Sequence, residues 1–480
     1  MLSVDYSSDF FFAMHFFVFL QAKKKVMYYP RTIDKYLIEW KESADHKPLL
    51  LRGARQVGKS WAVKNLGRQF KYFIEANFEK RKELKSLFER TRNAHDLAAM
   101  IGRMYNTPVV AGETLLFLDE IQDCSEAIHS LWSFKEDFPE LHVIAAGSLL
   151  EFTLKDLHSF GVGRIRSLFM YPMSFDEFLE AQGKTLWLEA KREANPQKPM
   201  FDELHQELVG QFRTFLLVGG MPASVAKWVE THDYVLAANE QDDIQQTYYD
   251  DFAKYAKKTD PQLLRNTLQS VVSQIGGKFV YSKVQGNVSS EEVKKALQML
   301  SDAGIIKRVI HSAGNGLPLG AESNLKFQKY IYLDSGLLLR IMDLELGGAG
   351  PLTQQILTDT AAQLVDKGSL TEMVAGWEIV KYSSPRTQND LYWWENLDRG
   401  TVSEVDYLLA RNMRVLPVEV KSGISGKMKS LHLFMHNKHL TEAVRCSLEN
   451  FGELVNQDKA DAGAQSRILI LPLYAISNLF

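Results

Sequence analysis

Gly53-Ala54-Arg55-Gln56-Val57-Gly58-Lys59-Ser60 sets two glycines, a lysine and a hydroxyl in the pattern G-x-x-x-x-G-K-[ST]. Glycines at both ends let the backbone curl so that successive N–H groups point inward at a phosphate. A helix opening at Ser60 would add the positive end of its dipole. Lys59 can then reach β- and γ-phosphates, and the Ser60 hydroxyl can ligate Mg²⁺. All eight residues are thus candidates for holding ATP. The bland alternative is a glycine-rich turn with no ligand. Its context argues against that: the apolar run Leu49-Leu50-Leu51 reads as a strand before the loop, and a helix is expected from Ser60 to about Phe70.

A second set completes the chemistry. Thr114-Leu115-Leu116-Phe117-Leu118-Asp119-Glu120 is a continuous apolar run ending in two acids, as a buried parallel strand would read. Ligands in open α/β sheets gather at the carboxyl ends of strands, where both acids fall. Asp119 would hold the Mg²⁺ shell, and Glu120 would orient and polarise the water attacking the γ-phosphate. The alternative is that the pair only caps the following helix. Ser148 follows another apolar strand, Leu141 to Ala146, and could bond the γ-phosphate or its water; a plain helix N-cap is its other reading. Arg164 or Arg166 could supply a guanidinium to the phosphate, in the same subunit or a neighbour's, or could be solvated surface arginines.

A separate constellation lies far downstream: Asp406, Glu419 and Lys421 on two expected strands, Glu404 to Leu409 and Val415 to Lys421. Period two puts Glu419 and Lys421 on one face of their strand. Paired carboxylates can hold a second divalent metal, and the lysine can activate a water or stabilise a phosphoryl transition state. Glu372, in a helix opening at Gly368, could be a third acid; Glu378 lies about 240° further around that helix and cannot share the metal. An Asp-Glu-Lys ion-pair patch would explain the same spacing.

These sites need a large scaffold, and 480 residues suffice for several domains with ample cores. The formal net charge of −3 gives no global pull toward nucleic acid, so any basic surface must be local. Only Cys124 and Cys446 are present, which suits a reducing cytoplasm and excludes a cysteine metal site. The run Phe10 to Leu20, followed by Lys23-Lys24-Lys25, is too short to span a bilayer and has its charges on the wrong side for a signal peptide. We read residues 1–26 as an extension ahead of a start at Met27, with a membrane anchor as the alternative and no stable membrane insertion expected.

Residues 27–180 are expected to form the nucleotide-binding α/β core. Residues 181–260 would be a helical lid, with 183–202 an exposed connection and Val218 to Pro222 a turn without chemistry. Residues 261–345 read as three helices and a hairpin, a winged-helix arrangement. Ser289-Ser290-Glu291-Glu292 caps its third helix, whose exposed side offers Lys294, Lys295 and Gln298 but also three acids. A protein-contacting winged helix fits that charge balance better than a DNA reader. Residues 346–480 make up the carboxy-terminal domain.

The phosphate loop, Phe117-Leu118-Asp119-Glu120-Ile121-Gln122, Ala146-Gly147-Ser148, Gly163-Arg164 and Tyr171-Pro172-Met173-Ser174-Phe175 together resemble a prokaryotic AAA-type ATPase family. Its members carry a carboxy-terminal domain of unknown function related to PD-(D/E)xK nucleases. Ser403 to Leu409, Pro417 to Gly423 and Lys429-Ser430-Leu431 resemble that domain. The resemblance implies an additional-strand P-loop core with Glu120 as the catalytic glutamate, and a PD-(D/E)xK fold with Glu372, Asp406, Glu419 and Lys421 as its candidate site. Ser60 replaces the family's usual threonine and keeps the hydroxyl; Met373 and Trp377 depart from the family pattern around Glu372. The expectation is a cytoplasmic Mg²⁺-dependent ATPase driving a module that acts on DNA. An ATP-gated nuclease and a nucleotide-switched adaptor for protein partners are the alternatives, and a homo-oligomer stays open.

Overall fold

Five short strands pair in parallel near the amino terminus: β1 (Leu49–Arg52), β2 (Tyr72–Asn77), β3 (Thr114–Asp119), β4 (His142–Ala146) and β5 (Arg166–Phe169). They line up as β2-β3-β4-β1-β5, so β4 is the added strand between β1 and β3. In this computed structural model the described residues are 28–148, 150, 151, 154, 163–254, 259–345, 368–396, 403–423, 428–457 and 465–480. The expected extension, 1–26, lies outside them. Strand alternation divides the core: Leu50, Leu116, Leu118, Val143 and Ala145 bury on one face, and Leu49, Leu51, Leu115, Phe117 and Ile144 on the other. Burial on both faces is why these strands read as unbroken apolar runs.

At the amino end of β4, His142 stacks on His46, ring centroids 3.8 Å apart, with Trp40 edge-on at 5.4 Å. Burial, then the neighbouring His46, pushes the His142 imidazole down to about 4. The folded state therefore keeps this ring neutral while the unfolded chain protonates it near its ordinary 6.5. Its stability contribution is complete above pH 6.5 and is lost as the pH falls toward 4, on the order of 3 kcal/mol. Melting followed against pH should show this loss in the wild type and a smaller one in His142→Phe.

The helices Phe175–Ala181, Thr185–Glu193, Asp202–Val218, Pro222–Thr231 and Tyr234–Lys254 follow. The polar stretch expected as an exposed connection over 183–202 is half helix: Leu188 is buried, and so is Lys191, whose ammonium is 2.5 Å from Asp176. Composition concealed this because a buried ion pair looks polar in sequence. Next come the helix Pro261–Ser273, a 3₁₀ turn at Tyr281–Lys283 and the helix Ser290–Asp302, capped reciprocally by Ser289 and Glu292.

Strands β6 (Ile306–Ser312) and β7 (Ser323–Tyr332) form the hairpin expected after these helices, but the hairpin does not stand alone. It joins β8 (Leu391–Glu395), β9 (Glu404–Arg411), β10 (Arg414–Val420), β11 (Glu442–Ser447), β12 (Gly452–Gln457) and β13 (Gln465–Pro472) in one sheet, ordered β12-β13-β11-β10-β9-β8-β6-β7. The second edge of β6 would otherwise present unpaired backbone groups, and parallel pairing with β8 satisfies them. The helix Gly368–Tyr382 packs on this sheet at β10 and β7, and the helix Ser335–Glu345 packs against that helix and the preceding helices. Among the described residues, no helix is long and apolar enough to cross a membrane.

Candidate nucleotide site and a second acidic centre

The loop after β1 curls because its glycines permit it. Gly53 has φ +140°, and a Cβ there would lie 2.1 Å from the Met170 carbonyl oxygen. Gly58, at φ +100°, opens the helix Lys59–Gly67. Gly53→Ala should therefore cost several kcal/mol of stability and disrupt the loop, read as a lowered melting temperature together with lost nucleotide affinity.

Lys59 folds back into the loop, donating to the carbonyl oxygens of Gly53 at 2.8 Å and Ala54 at 2.7 Å. Burial lowers its ammonium to about 8, against the pull of Glu120 and Asp119. The Ser60 hydroxyl lies 3.2 Å from Asp119, which also accepts from Asn77 at 2.9 Å. Burial, then Glu120, raises the Asp119 carboxyl. Glu120 sits in the left-handed region, φ 52°, just past the end of β3. Its Oε2 accepts from Gln122 Nε2 at 2.7 Å and from the Ser148 hydroxyl at 3.3 Å. A Cβ on Gly147 would lie 1.9 Å from the Gln122 Oε1, so a side chain at 147 would push the Gln122 amide aside. Lys59, Ser60, Asp119, Glu120 and Ser148 thus converge at the carboxyl ends of β1, β3 and β4, around one pocket of about 440 Å³.

The far side of that pocket was not legible in the sequence. Tyr28, Tyr29, Trp61 and Met173 line it, with Pro222, Ala223 and Ala226 from the first turns of the helix Pro222–Thr231. The turn expected to carry no chemistry therefore delivers a helix to the pocket wall. Aromatic and apolar faces beside a phosphate cradle form a compartment suited to a flat base. Arg31 was missed too: its guanidinium donates to the carbonyls of Val57 at 2.9 Å and Tyr171 at 2.7 Å and pairs with buried Glu177 at 3.1 Å. It props the loop from below. From outside, Arg55 pairs with Asp251 at 2.8 Å, Tyr248 donates to the Arg55 carbonyl at 2.7 Å, and Gln56 reaches Thr247 at 3.2 Å.

Arg164 does not reach the site of its own subunit. Its Nε lies 2.5 Å from Glu136, at the carboxyl end of the helix Ser125–Asp137, and its guanidinium covers the Trp132 ring. Arg166 begins β5, opposite Leu49. Both occupy the amino ends of the parallel strands, across the sheet from the phosphate loop, because the chain leaves the carboxyl end of β4 and must return before β5.

The second constellation assembles with different membership. The β9–β10 register that pairs Val418 with Tyr407 sets Glu419 level with Asp406, and Asp406 accepts from the Val420 backbone N–H at 2.7 Å. Glu372, Glu404 and Asp406 offer oxygens that all lie within 4.8 Å of one another. Glu404 was not foreseen, although its place two residues before Asp406 on one strand face could have signalled it. Lys329 of β7 was not foreseen either; it is 2.9 Å from Glu372 and also pairs with Glu404. Glu419 pairs with Lys421 through Oε1, and its buried Oε2 has no hydrogen-bond partner among the described residues. Burial, then the Asp406 charge, pushes the Glu419 carboxyl up to about 7; burial, against the pull of Lys329, leaves Glu372 near 8. Glu378 faces elsewhere, accepting from the Phe175 N–H at 3.0 Å.

An "AAA domain" family model matches residues 45–179. Two families described as domains of unknown function, DUF8612 and DUF4143, match residues 209–346 and 367–475. No curated protein sequence matches the chain. Among solved structures, the chain is similar to the Aeropyrum pernix ORC1 protein in complex with DNA, at 11% identity over 68% of this chain and 95% of that one, with a TM-score of 0.30. The S. cerevisiae Hsp104-ADP complex is matched at 11% identity over 57% of this chain and 38% of that one, with a TM-score of 0.26. Drosophila ORC bound to DNA is matched at 13% identity over 65% and 84%, with a TM-score of 0.26. Likenesses this loose carry no argument about the whole chain. The family match coincides with the phosphate loop, the acidic pair and the strand order: residues 45–179 match an AAA domain and fold with the strand order β2-β3-β4-β1-β5 around the loop.

Proposed function

We propose that the chain hydrolyses ATP with Mg²⁺ and uses its nucleotide state to reposition the helix-hairpin unit and carboxy-terminal sheet, acting on DNA. The observation that carries the hydrolysis reading is the convergence of Lys59, Ser60, Asp119, Glu120 and Ser148 on one pocket that also has an apolar wall. The residues fit the groups required. Ser60 and Asp119 already share a polar contact where Mg²⁺ would be held, and bound Mg²⁺ would neutralise phosphate charge. Lys59 exchanges loop carbonyls for phosphate oxygens. Glu120, held by Gln122 and Ser148, orients and accepts the proton of the attacking water, while Ser148 reports on the γ-phosphate position. A guanidinium from Arg164 would act only across a subunit boundary, in a homo-oligomer.

The repositioning reading rests on contacts to the loop itself. Ala54 packs against Gly304, where a Cβ would be 3.3 Å away, and β6 starts two residues later. The helix Tyr234–Lys254 grips Arg55 and Gln56 from the other side. A second reading, an ATP-gated metal-dependent nuclease, is favoured by the clustering of Glu372, Glu404 and Asp406. An adaptor that switches protein partners needs neither cutting nor DNA. One preparation separates the three: ATP turnover with and without DNA, salt-dependent DNA binding, and plasmid nicking with Mg²⁺ or Mn²⁺. DNA-stimulated turnover without nicking supports the proposal. Nicking abolished by Asp406→Ala moves it to the nuclease, and the absence of any salt-dependent DNA binding moves it to the adaptor.

A further inference from the structure

The acidic centre already contains a cation, supplied from another part of the chain. Lys329 is 2% exposed; its ammonium lies 2.9 Å from Glu372, pairs with Glu404, and sits over the Trp393 ring at 4.7 Å from the centroid. It occupies the space between the carboxylates whose oxygens would coordinate a metal. Four carboxylates, Glu372, Glu404, Asp406 and Glu419, face two ammonium groups, Lys329 and Lys421. Among the described residues Glu419 Oε2 has no hydrogen-bond partner, though its side chain is only 6% exposed. Carboxyl groups thus outnumber the ammonium groups even with Lys329 in place, although Arg445 lies in register beside Glu419 and burial holds the Glu372 and Glu419 carboxyls well above their ordinary range. A divalent ion would find oxygen ligands there, yet it would be repelled by an ammonium sharing the same oxygens.

Lys329 belongs to β7, the edge strand of the eight-stranded sheet, and pairs across the hairpin with Val309 of β6. The hairpin is rooted at Gly304, against Ala54 of the phosphate loop. Lys329 is thus carried by a hairpin rooted beside the phosphate loop; the helix Gly368–Tyr382 that carries Glu372 also touches the ATPase domain, through Lys381 on the Met173 carbonyl at 2.9 Å, whereas Glu404, Asp406 and Glu419 come from β9 and β10.

We propose that Lys329 is the resident counter-ion of the acidic centre, that a divalent cation enters only when Lys329 is withdrawn, and that the β6–β7 hairpin is the element that withdraws it. The gating half rests on the ATP-driven repositioning proposed above; the counter-ion half does not.

The two halves are tested separately. In the first arm, Mn²⁺ is titrated calorimetrically into the nucleotide-free full chain. Lys329→Met should bind Mn²⁺ at least ~10-fold more tightly than the wild type, and Asp406→Asn added to that variant should remove the gain. Equal Mn²⁺ affinity in wild type and Lys329→Met, or no Mn²⁺ binding by either, overturns the proposal. Lys329→Gln carries the same comparison if the Met variant does not fold, as judged by its thermal melt. In the second arm, Glu120→Gln protein is loaded with ATP and its bound Mn²⁺ is counted by electron paramagnetic resonance. A second ion per chain, beyond the one held with the nucleotide and lost in Asp406→Asn, supports the gate. Bound ATP with no second ion overturns the gate, and failure to bind ATP at all refutes the nucleotide reading instead.

Discussion

A Glu120→Gln protein is expected to bind ATP as the wild type does and to release phosphate at least ~100-fold more slowly. The substitution keeps size and hydrogen-bonding reach, so the contacts from Gln122 and Ser148 can be retained by the amide oxygen. What disappears is the capacity to take a proton from water. The backbone at 120 makes the assignment sharper: a non-glycine residue is held in the left-handed region at the end of β3, and its side chain meets Ser148 and Gln122 without making a capping bond to the 3₁₀ turn Ile121–Asp123 that follows. A residue that merely capped a helix would not affect turnover when exchanged for glutamine. Equilibrium ATP binding and single-turnover phosphate release, measured together, decide the matter; full turnover by Glu120→Gln would remove the mechanism.

Lys59→Ala is expected to weaken ATP binding by about 100-fold or more, the order given by losing two hydrogen bonds from a charged donor to phosphate oxygens. The side chain is largely buried, and among the described residues its ammonium donates to the Gly53 and Ala54 carbonyls. Part of its desolvation is therefore borne by folding, before a triphosphate enters the pocket it lines. Burial brings the group to about 8, so it is still mainly protonated at neutral pH. Lys59→Arg should not restore binding, because a planar guanidinium cannot enter a cradle shaped around a single ammonium. Fluorescent nucleotide titration of the three proteins checks this, and retained affinity in Lys59→Ala would reduce the loop to a structural turn.

The two sites were not equally legible. The nucleotide site could be read almost whole because its parts are local: eight consecutive residues build the cradle, and the acids terminate a strand whose apolar run is itself diagnostic. What stayed hidden there came from elsewhere in the chain. Tyr28, Arg31 and Pro222 meet the loop only through tertiary packing, and aromatic or arginine residues in isolation point to nothing. For Arg164 the sequence left open its own subunit or a neighbour's; the crossover to β5 carries it to the end of the sheet opposite its own phosphate loop.

The acidic centre shows the limit more clearly. Period two and strand pairing anticipated Asp406 beside Glu419, since antiparallel register is a local consequence of a short turn between β9 and β10. Glu372 could be placed on a helix but not on a contact, and Lys329 could not be placed at all. A lone lysine in an edge strand is ordinarily a solvated one, and only the addition of β6 and β7 to the carboxy-terminal sheet buries it among the acids.

By itself, then, the amino-acid order determined a loop shaped to cradle phosphate, because the geometry of that cradle is written in backbone freedom and spacing over a few residues. Whether the distant acids meet a metal or a lysine was decided by tertiary structure alone, because charge compensation in a buried site depends on which elements the sheet brings together, and no local pattern records that.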